Sequence, residues 1–518
     1  MSRARGATAA VALTLLPALA CGGGGDAVTL TRAELLDPAS CKSCHAQHYR
    51  ECASSMHAYA SRDPVFLAMN RRGQQETGGA LGGFCVNCHA PMAVREGATS
   101  DGLNLADVPA ALQGVGCYFC HNVDGIEGTH DAALRLANDV TMRGRITDPA
   151  ANPAHRSAPS SLLSGADPRS ASACGVCHDI VLPSPPAPAA IALERTFDEW
   201  KTSVFAPEQA PHPSAVATCA SCHMPPGPAP EPIAEGPGLH VVARTRHAHH
   251  FAAVDAPLDA FPDTGDAAED AALRSLQREQ IRQLLDVTLR IDVCVQVIGV
   301  GSAVTVTLDN AGAGHAFPSG ASQDRRVFVE VIAYAGGERL YSSGAVADGA
   351  DVMALDDPDL WLLRDRTFDA QGGPAHMFWQ VARLEPGTIG AQVTSDPADS
   401  RFYTASHAIR RFPLDTAGII AGIPDRVTVR VRMVPVGLDV LDDLAASGHL
   451  DASVREAMPT YDLLPNRALA ASGRPELANL DEVSMEWSEG TRNSSVFYAR
   501  EDFTASPVKD CVGMPRRP

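Results

Sequence analysis

Cys41-Lys42-Ser43-Cys44-His45, Cys85-Val86-Asn87-Cys88-His89, Cys117-Tyr118-Phe119-Cys120-His121, Cys174-Gly175-Val176-Cys177-His178 and Cys219-Ala220-Ser221-Cys222-His223 are five copies of one pentapeptide, Cys-x-x-Cys-His. Two thiols three residues apart fall on one face of a helical turn. Both can bond a porphyrin edge while the adjacent His offers its imidazole to the iron, which is the attachment signature of c-type haem. A lone Cys-x-x-Cys also serves zinc knuckles and redox disulfides. Neither of those needs a His after every second cysteine. At 14 Cys and 18 His in 518 residues, chance supplies only about 0.01 copies of the full pattern. The ten cysteines are therefore expected to hold five covalently bound c-type haems. His45, His89, His121, His178 and His223 are expected as the proximal ligands.

Successive signatures start 44, 32, 57 and 45 residues apart, too irregular for a solenoid repeat. So little chain per signature leaves no conventional core. Short helices and long loops around porphyrins are expected, with the Pro-rich runs at 183–188 and 225–237 as loops. Residues 31–260 form this pentahaem domain.

Each iron needs a sixth ligand or stays open. Thirteen further His are available once five are used proximally. His130 follows the third signature by nine residues, as a ligand folding back would. His48, His212 and His240 read as loop or solvent histidines. Met56, Met69, Met92 and Met224 read as packing against haem faces, since thioethers fill irregular gaps.

The first signature continues as His48-Tyr49-Arg50-Glu51-Cys52-Ala53-Ser54-Ser55-Met56-His57. This resembles the cytochrome c-554 family of multihaem cytochromes, in Tyr49, Ser54 and His57. Cys52 departs from it, standing where that family has Trp. Asp63-Pro64-Val65-Phe66, Gly114-Val115-Gly116-Cys117, Phe197-Asp198-Glu199-Trp200-Lys201 and Cys222-His223-Met224-Pro225 follow in the same order. The resemblance covers residues 40–255. It implies His57 as a distal ligand, His155 as a second, and the cluster His247-Ala248-His249-His250-Phe251 as a ligand loop, with His249 the better match and His247 next.

After residue 265 the pattern changes. Leu273, Leu276, Ile281, Leu284 and Leu285 have helical spacing over 267–287. Val287, Leu289, Ile291, Val293 and Val295 then alternate with Thr288, Arg290, Asp292, Cys294 and Gln296, a half-buried strand with Cys294 on its polar face. The stretches 304–308, 326–335 and 426–434 alternate likewise. An antiparallel β-sandwich over 265–518 is expected, its end a helical and loop extension. The fold class is therefore mixed, a mostly α and loop multihaem domain followed by a sandwich. Cys294 is free or pairs with Cys511.

One loop interrupts the strands: Asn310-Ala311-Gly312-Ala313-Gly314-His315-Ala316-Phe317-Pro318-Ser319-Gly320. A Gly-flanked His between strands is placed to reach a neighbouring domain, or to bond its own turn. Relatives of the family with an added sandwich carry a similar loop. That implies His315 as a distal ligand supplied across the domain boundary.

Arg3 and Arg5 precede an apolar run at 7–20 that ends in small residues, a secretory signal over 1–21. Ala18-Leu19-Ala20-Cys21 resembles a bacterial lipobox, with Cys21 the lipidated residue and 22–30 a Gly-rich linker. No other run approaches the length of a membrane span. A periplasmic or outer-membrane-anchored protein is expected, reaching the cell surface in one version. The net charge of −19 argues against nucleic-acid binding, which wants a basic face. It fits redox partner proteins steered by charge.

Function is read as electron carriage through closely packed, mostly bis-His haems, whose ligation keeps potentials low. The alternative is a multihaem oxidoreductase acting on small nitrogen compounds at one open haem, similar to hydroxylamine oxidoreductase or nitrite reductase.

Overall fold

The computed structural model describes residues 28–236, 239–396, 398–415, 418–465, 467 and 483–488. The signal segment with Cys21, most of the linker, and Cys511 lie outside the described residues. Among the described residues no helix is long and apolar enough to cross a membrane.

Short helices and two-stranded ribbons make up the N-terminal half. Its longest helix, Pro64–Glu76, starts where Asp63 accepts hydrogen bonds from the Val65 and Phe66 N–H groups and Pro64 fills the first helical position. The signatures each form a single helical turn. His45 N–H donates to the Cys41 carbonyl at 2.8 Å, His89 to Cys85 at 3.2 Å and His178 to Cys174 at 3.1 Å. Cys117–His121 and Cys219–His223 are one-turn helices. Hydrophobic clusters here are small. The largest that lies wholly in this half joins Leu35, Met92, Tyr118, Phe119, Val123, Leu134, Leu136 and Val176.

A 20-residue helix, Ala267–Asp286, leads into the C-terminal half. Asp266 caps it, and Leu273, Gln277, Ile281 and Leu285 recur on its buried face. Two antiparallel sheets follow. In the first, β1 (Leu289–Ile298) pairs with β2 (Gly301–Asn310), whose other edge meets β5 (His407–Phe412). In the second, β3 (Arg326–Ala335) lies between β4 (Glu338–Ser343) and β6 (Arg426–Val434). Alternate residues of both sheets meet in one core. Ile291, Val293, Val304 and Val306 from the first pack with Val329, Val331, Val429 and Val431 from the second. This is a β-sandwich, as the period-two pattern predicts.

The outer face of β1 differs from expectation. Arg290 is 7% exposed and Cys294 0%, so Cys294 does not stand on a solvated polar face. It is bonded in a disulfide. No other described cysteine is in a disulfide, so its partner lies outside the described residues.

The two halves share packing. Val65, Ala68 and Leu81 join Phe328, Trp379, Leu438 and Leu441 in one cluster, and Ala252 and Ala256 enter the sandwich core. Trp379 Nε1 donates to Glu76 Oε2 at 2.8 Å, and Arg72 pairs with Asp443 at 3.0 Å.

Candidate haem sites

One internal cavity of about 1910 Å³ runs through the N-terminal half to the sandwich boundary. All ten signature cysteines and all five signature histidines line it. Thiols of different signatures touch inside it. Contact with Cys117 pushes the Cys41 thiol up, contact with Cys88 pushes Cys177 up, and contact with Cys174 pushes Cys219 up. The first signature thus abuts the third, the second the fourth, and the fourth the fifth. Cys52 also touches Cys117, so the residue standing in place of Trp sits at the junction of the first and third signatures.

Four signature imidazoles have a second imidazole facing them. Ring centres are 6.3 Å apart for His45 and His155, 6.2 Å for His57 and His178, 6.3 Å for His121 and His249, and 6.5 Å for His223 and His315. A metal–nitrogen bond of about 2.0 Å on each side, plus roughly 1.1 Å from nitrogen to ring centre, separates two ligand rings on one metal by about 6.2 Å. The four gaps therefore fit one iron each. The pairs bridge 110, 121, 128 and 92 residues of sequence respectively. No local pattern could have matched them.

Backbone carbonyls fix the tautomer of most of these rings. A carbonyl only accepts, so the Nδ1 facing it must carry the proton, which leaves Nε2 free to bind metal. His45 Nδ1 meets Ile233 O at 2.9 Å, His121 meets Arg143 O at 2.6 Å, and His223 meets Ala252 O at 2.7 Å. Among the facing rings, His155 meets Arg156 O at 2.9 Å, His249 meets His247 O at 2.9 Å, and His315 meets Ala316 O at 2.8 Å. Burial pushes His57 and His249 down to about 3 and His178 to about 4. All three are neutral, the form that ligates.

Two carboxylates that the sequence did not single out hold two of the facing loops. Glu199 Oε2 accepts from the Ala316 N–H at 3.1 Å and from the Ser319 hydroxyl at 2.6 Å. It reaches from the N-terminal half into the sandwich loop that carries His315. Asn310 holds the same loop from behind, donating to the His315 carbonyl at 2.7 Å. The loop can approach the turn before β1 so closely only because residue 312 is Gly, since a Cβ there would lie 1.9 Å from the Val287 carbonyl. Glu51, on the helix Ala46–Ala53, accepts from the His249 N–H at 2.8 Å and pairs with Arg246 at 2.6 Å. Burial pushes Glu51 up, but the bonds from Gln47 and His249 and the nearby charges bring it below its ordinary value.

Three histidines differ from their expected places. His48 is not a solvent residue: it lines the cavity, edge-on to His249 at 4.9 Å and to His45 at 6.0 Å. His130 is exposed and faces no signature imidazole among the described residues. Its neighbour Asp131 accepts from Asn87 inside the second signature at 3.0 Å, and both His130 and Asp131 line the cavity. His247 faces no signature imidazole among the described residues. Its Nδ1 bonds the Met224 carbonyl, and its Nε2 takes a hydrogen bond from Arg145. His89 has no facing imidazole among the described residues. Phe66 lies flat on its ring at 4.0 Å, and its Nδ1 bonds Ala60 O at 3.0 Å.

Residues 40–122 match the family described as cytochrome c554 and c-prime. The fold is similar to the crystal structure of a penta-heme cytochrome c552 from Thermochromatium tepidum. That likeness has 18% identity and a TM-score of 0.53, and covers 82% of this chain and 96% of the other. Coverage of that extent is more than the N-terminal half alone can supply, so the likeness reaches into the sandwich. No curated protein matches the sequence.

Proposed function

We propose, for a chain with a multihaem cytochrome c domain joined to a β-sandwich, that it carries five covalent c-type haems and passes electrons among them outside the cytoplasm. The four facing imidazole pairs carry this reading. Their spacing is that of two ligands on one iron, and they sit in a single cavity with all five signatures. The likeness to a penta-heme cytochrome supports the count. When bound, haem supplies one-electron iron chemistry.

The chain's own residues hold and tune it. Ten cysteines tether the porphyrin edges, and contacts between signatures keep neighbouring edges together. His45 with His155, His121 with His249, His178 with His57 and His223 with His315 supply two nitrogens to each of four irons. Such ligation excludes substrate from the metal and favours low potentials. The Glu199 and Glu51 carboxylates act as positioning groups, holding the loops that carry His315 and His249.

The site at His89 lacks a facing imidazole among the described residues. An oxidoreductase of small nitrogen compounds would have to act there, and that single position does not outweigh four capped ones. Paramagnetic resonance of the oxidised holoprotein tests both readings. The expected spectrum has four low-spin bis-imidazole haems and a distinct fifth signal. Fewer than four low-spin signals would overturn the ligand assignment. Turnover of nitrite or hydroxylamine, with matching changes in the fifth signal, would favour the alternative.

The signal-like N-terminus and the lipobox-like Cys21 support a location outside the cytoplasm on a lipid anchor, where the partners would be redox proteins. A Cys21→Ser variant should be released from membranes into the soluble fraction. Retention there would contradict the anchor.

A further inference from the structure

At the boundary of the two halves the cavity wall carries more acids than bases. Gln323, Asp324 and Arg325, at the start of β3, line it together with Glu194 and Asp255. Arg325 is 8% exposed and spent on Asp255, to which it donates through both Nη atoms, one at 2.9 Å. Its Nη1 also donates to the Pro435 carbonyl at 2.8 Å. The neighbouring cation, Arg326, is likewise spent, on Asp439 at 2.6 Å. Asp324 is 9% exposed and has one side-chain donor, Gln323 Nε2 at 3.2 Å. The Glu194 carboxyl has no hydrogen-bond partner among the described residues, and what surface it shows faces the cavity. Arg364 also stands near Asp324, its Nη1 on the Gln323 carbonyl at 3.4 Å, so Glu194 is the carboxyl at this wall left with no bonded partner among the described residues. Two further atoms stay unpartnered at the same wall, Arg325 Nε and Gln323 Oε1. A donor and an acceptor together suit a carboxyl group that gains and loses a proton, and a haem carries such groups on its edge.

We propose that Glu194 and Asp324, against Arg325 and Gln323, form a proton-loading site that takes up a proton when the haem between His57 and His178 is reduced. This rests on the haem reading above. Location points to that haem. Glu194 pairs in register with Ile180, two residues past His178, and the Asp255 charge is felt at the His178 ring. Burial pushes Glu194 up to about 7 and Asp324 up to about 6. The charges facing Glu194 are those of Arg325, Asp324, Asp255 and Asp179. Those facing Asp324 are Arg326, Arg325, His376, Arg364 and Glu194.

The step balances. One electron from a one-electron donor protein converts Fe(III) to Fe(II), and one proton from water binds the carboxylate. The buried site keeps its charge, so it avoids the cost of an uncompensated one. An acid whose ordinary value is 4.5 and which sits near neutrality in the fold exchanges its proton where a periplasmic protein works.

Redox titration of the full holoprotein between pH 6 and 8 tests this, with haem content fixed first by mass. One haem's midpoint should fall as pH rises, by at most roughly 59 mV per pH unit, the value of a tenfold change for one electron. Glu194→Gln should flatten that slope. Asp324→Asn is the second variant, should the first lose haem. The reduced-minus-oxidised infrared spectrum should gain a protonated-carboxyl band that Glu194→Gln removes. Full haem content with no pH slope, or a slope unchanged in both variants, would overturn the proposal and leave the haem reading standing. A low haem count would sink the haem reading instead.

Discussion

The two halves solve the problem of an interior differently. The sandwich closes on itself, with 29 buried side chains in a single cluster that draws on both sheets, the preceding helix and the crossing segment. Among the described residues the N-terminal half has no cluster larger than eight buried residues of its own, and its centre is a cavity lined by thiols and imidazoles. Burial of apolar surface is the main favourable term in folding. One half has enough of it in its chain, and the other takes it from the cofactor.

Blocking haem attachment should break this comparison most visibly. A variant with all ten signature cysteines changed to Ala should lose the helical signal and become protease-sensitive over residues 31–260. The sandwich should persist as a resistant fragment. An intact N-terminal half without haem would refute the idea that the cofactor supplies its interior.

Next in size is Asp439→Asn. Arg326 is 1% exposed and pairs with Asp439. Leaving such a charge unpaired costs about 3–5 kcal/mol, read as a drop in unfolding free energy. Burial raises Asp439, but the Arg326 bond and charge bring it below its ordinary value of 3.8. A depressed acid contributes stability above its unfolded value, and that contribution fades as pH falls through the lower, folded value. Denaturant curves of Asp439→Asn should therefore depend less on pH below about 4 than wild type.

Glu199→Ala tests the seam between the halves. It leaves the Ala316 N–H and the Ser319 hydroxyl without their acceptor, at a cost of about 1–3 kcal/mol. The same variant should convert part of one low-spin haem to high spin, and Glu199→Gln should restore it. A purely structural role would cost stability with no spectral change.

The smallest effect belongs inside the sandwich. Ile291→Val removes one methylene from a fully buried site, costing about 0.5–1.5 kcal/mol. Haem spectra and potentials should not move. If they do, the sandwich acts on the haems and is not merely their brace.

Much of this was legible in the chain because the signals are local. A Cys-x-x-Cys-His turn and an alternating strand need only neighbouring residues, and both fold as written. His57, His155, His249 and His315 each face a signature imidazole. Their pairing with particular signatures was not legible, since each pair joins segments about a hundred residues apart. Glu51 and Glu199 were hidden for a related reason. Each looks like one more surface carboxylate until a distant loop docks on it. A His on a short polar helix looks solvated, and it is the packing of His249 edge-on to His48 that brings that ring against the cavity. Cys294 failed because its strand's outer face is covered, which period-two alternation does not report.

The most direct test is the intact mass of the acid-denatured holoprotein, made in a cell that attaches c-type haem. The account predicts the processed polypeptide plus five haems, none removed by denaturation. The bare polypeptide mass, or a haem count below five with all ten signature cysteines unaltered, would contradict it.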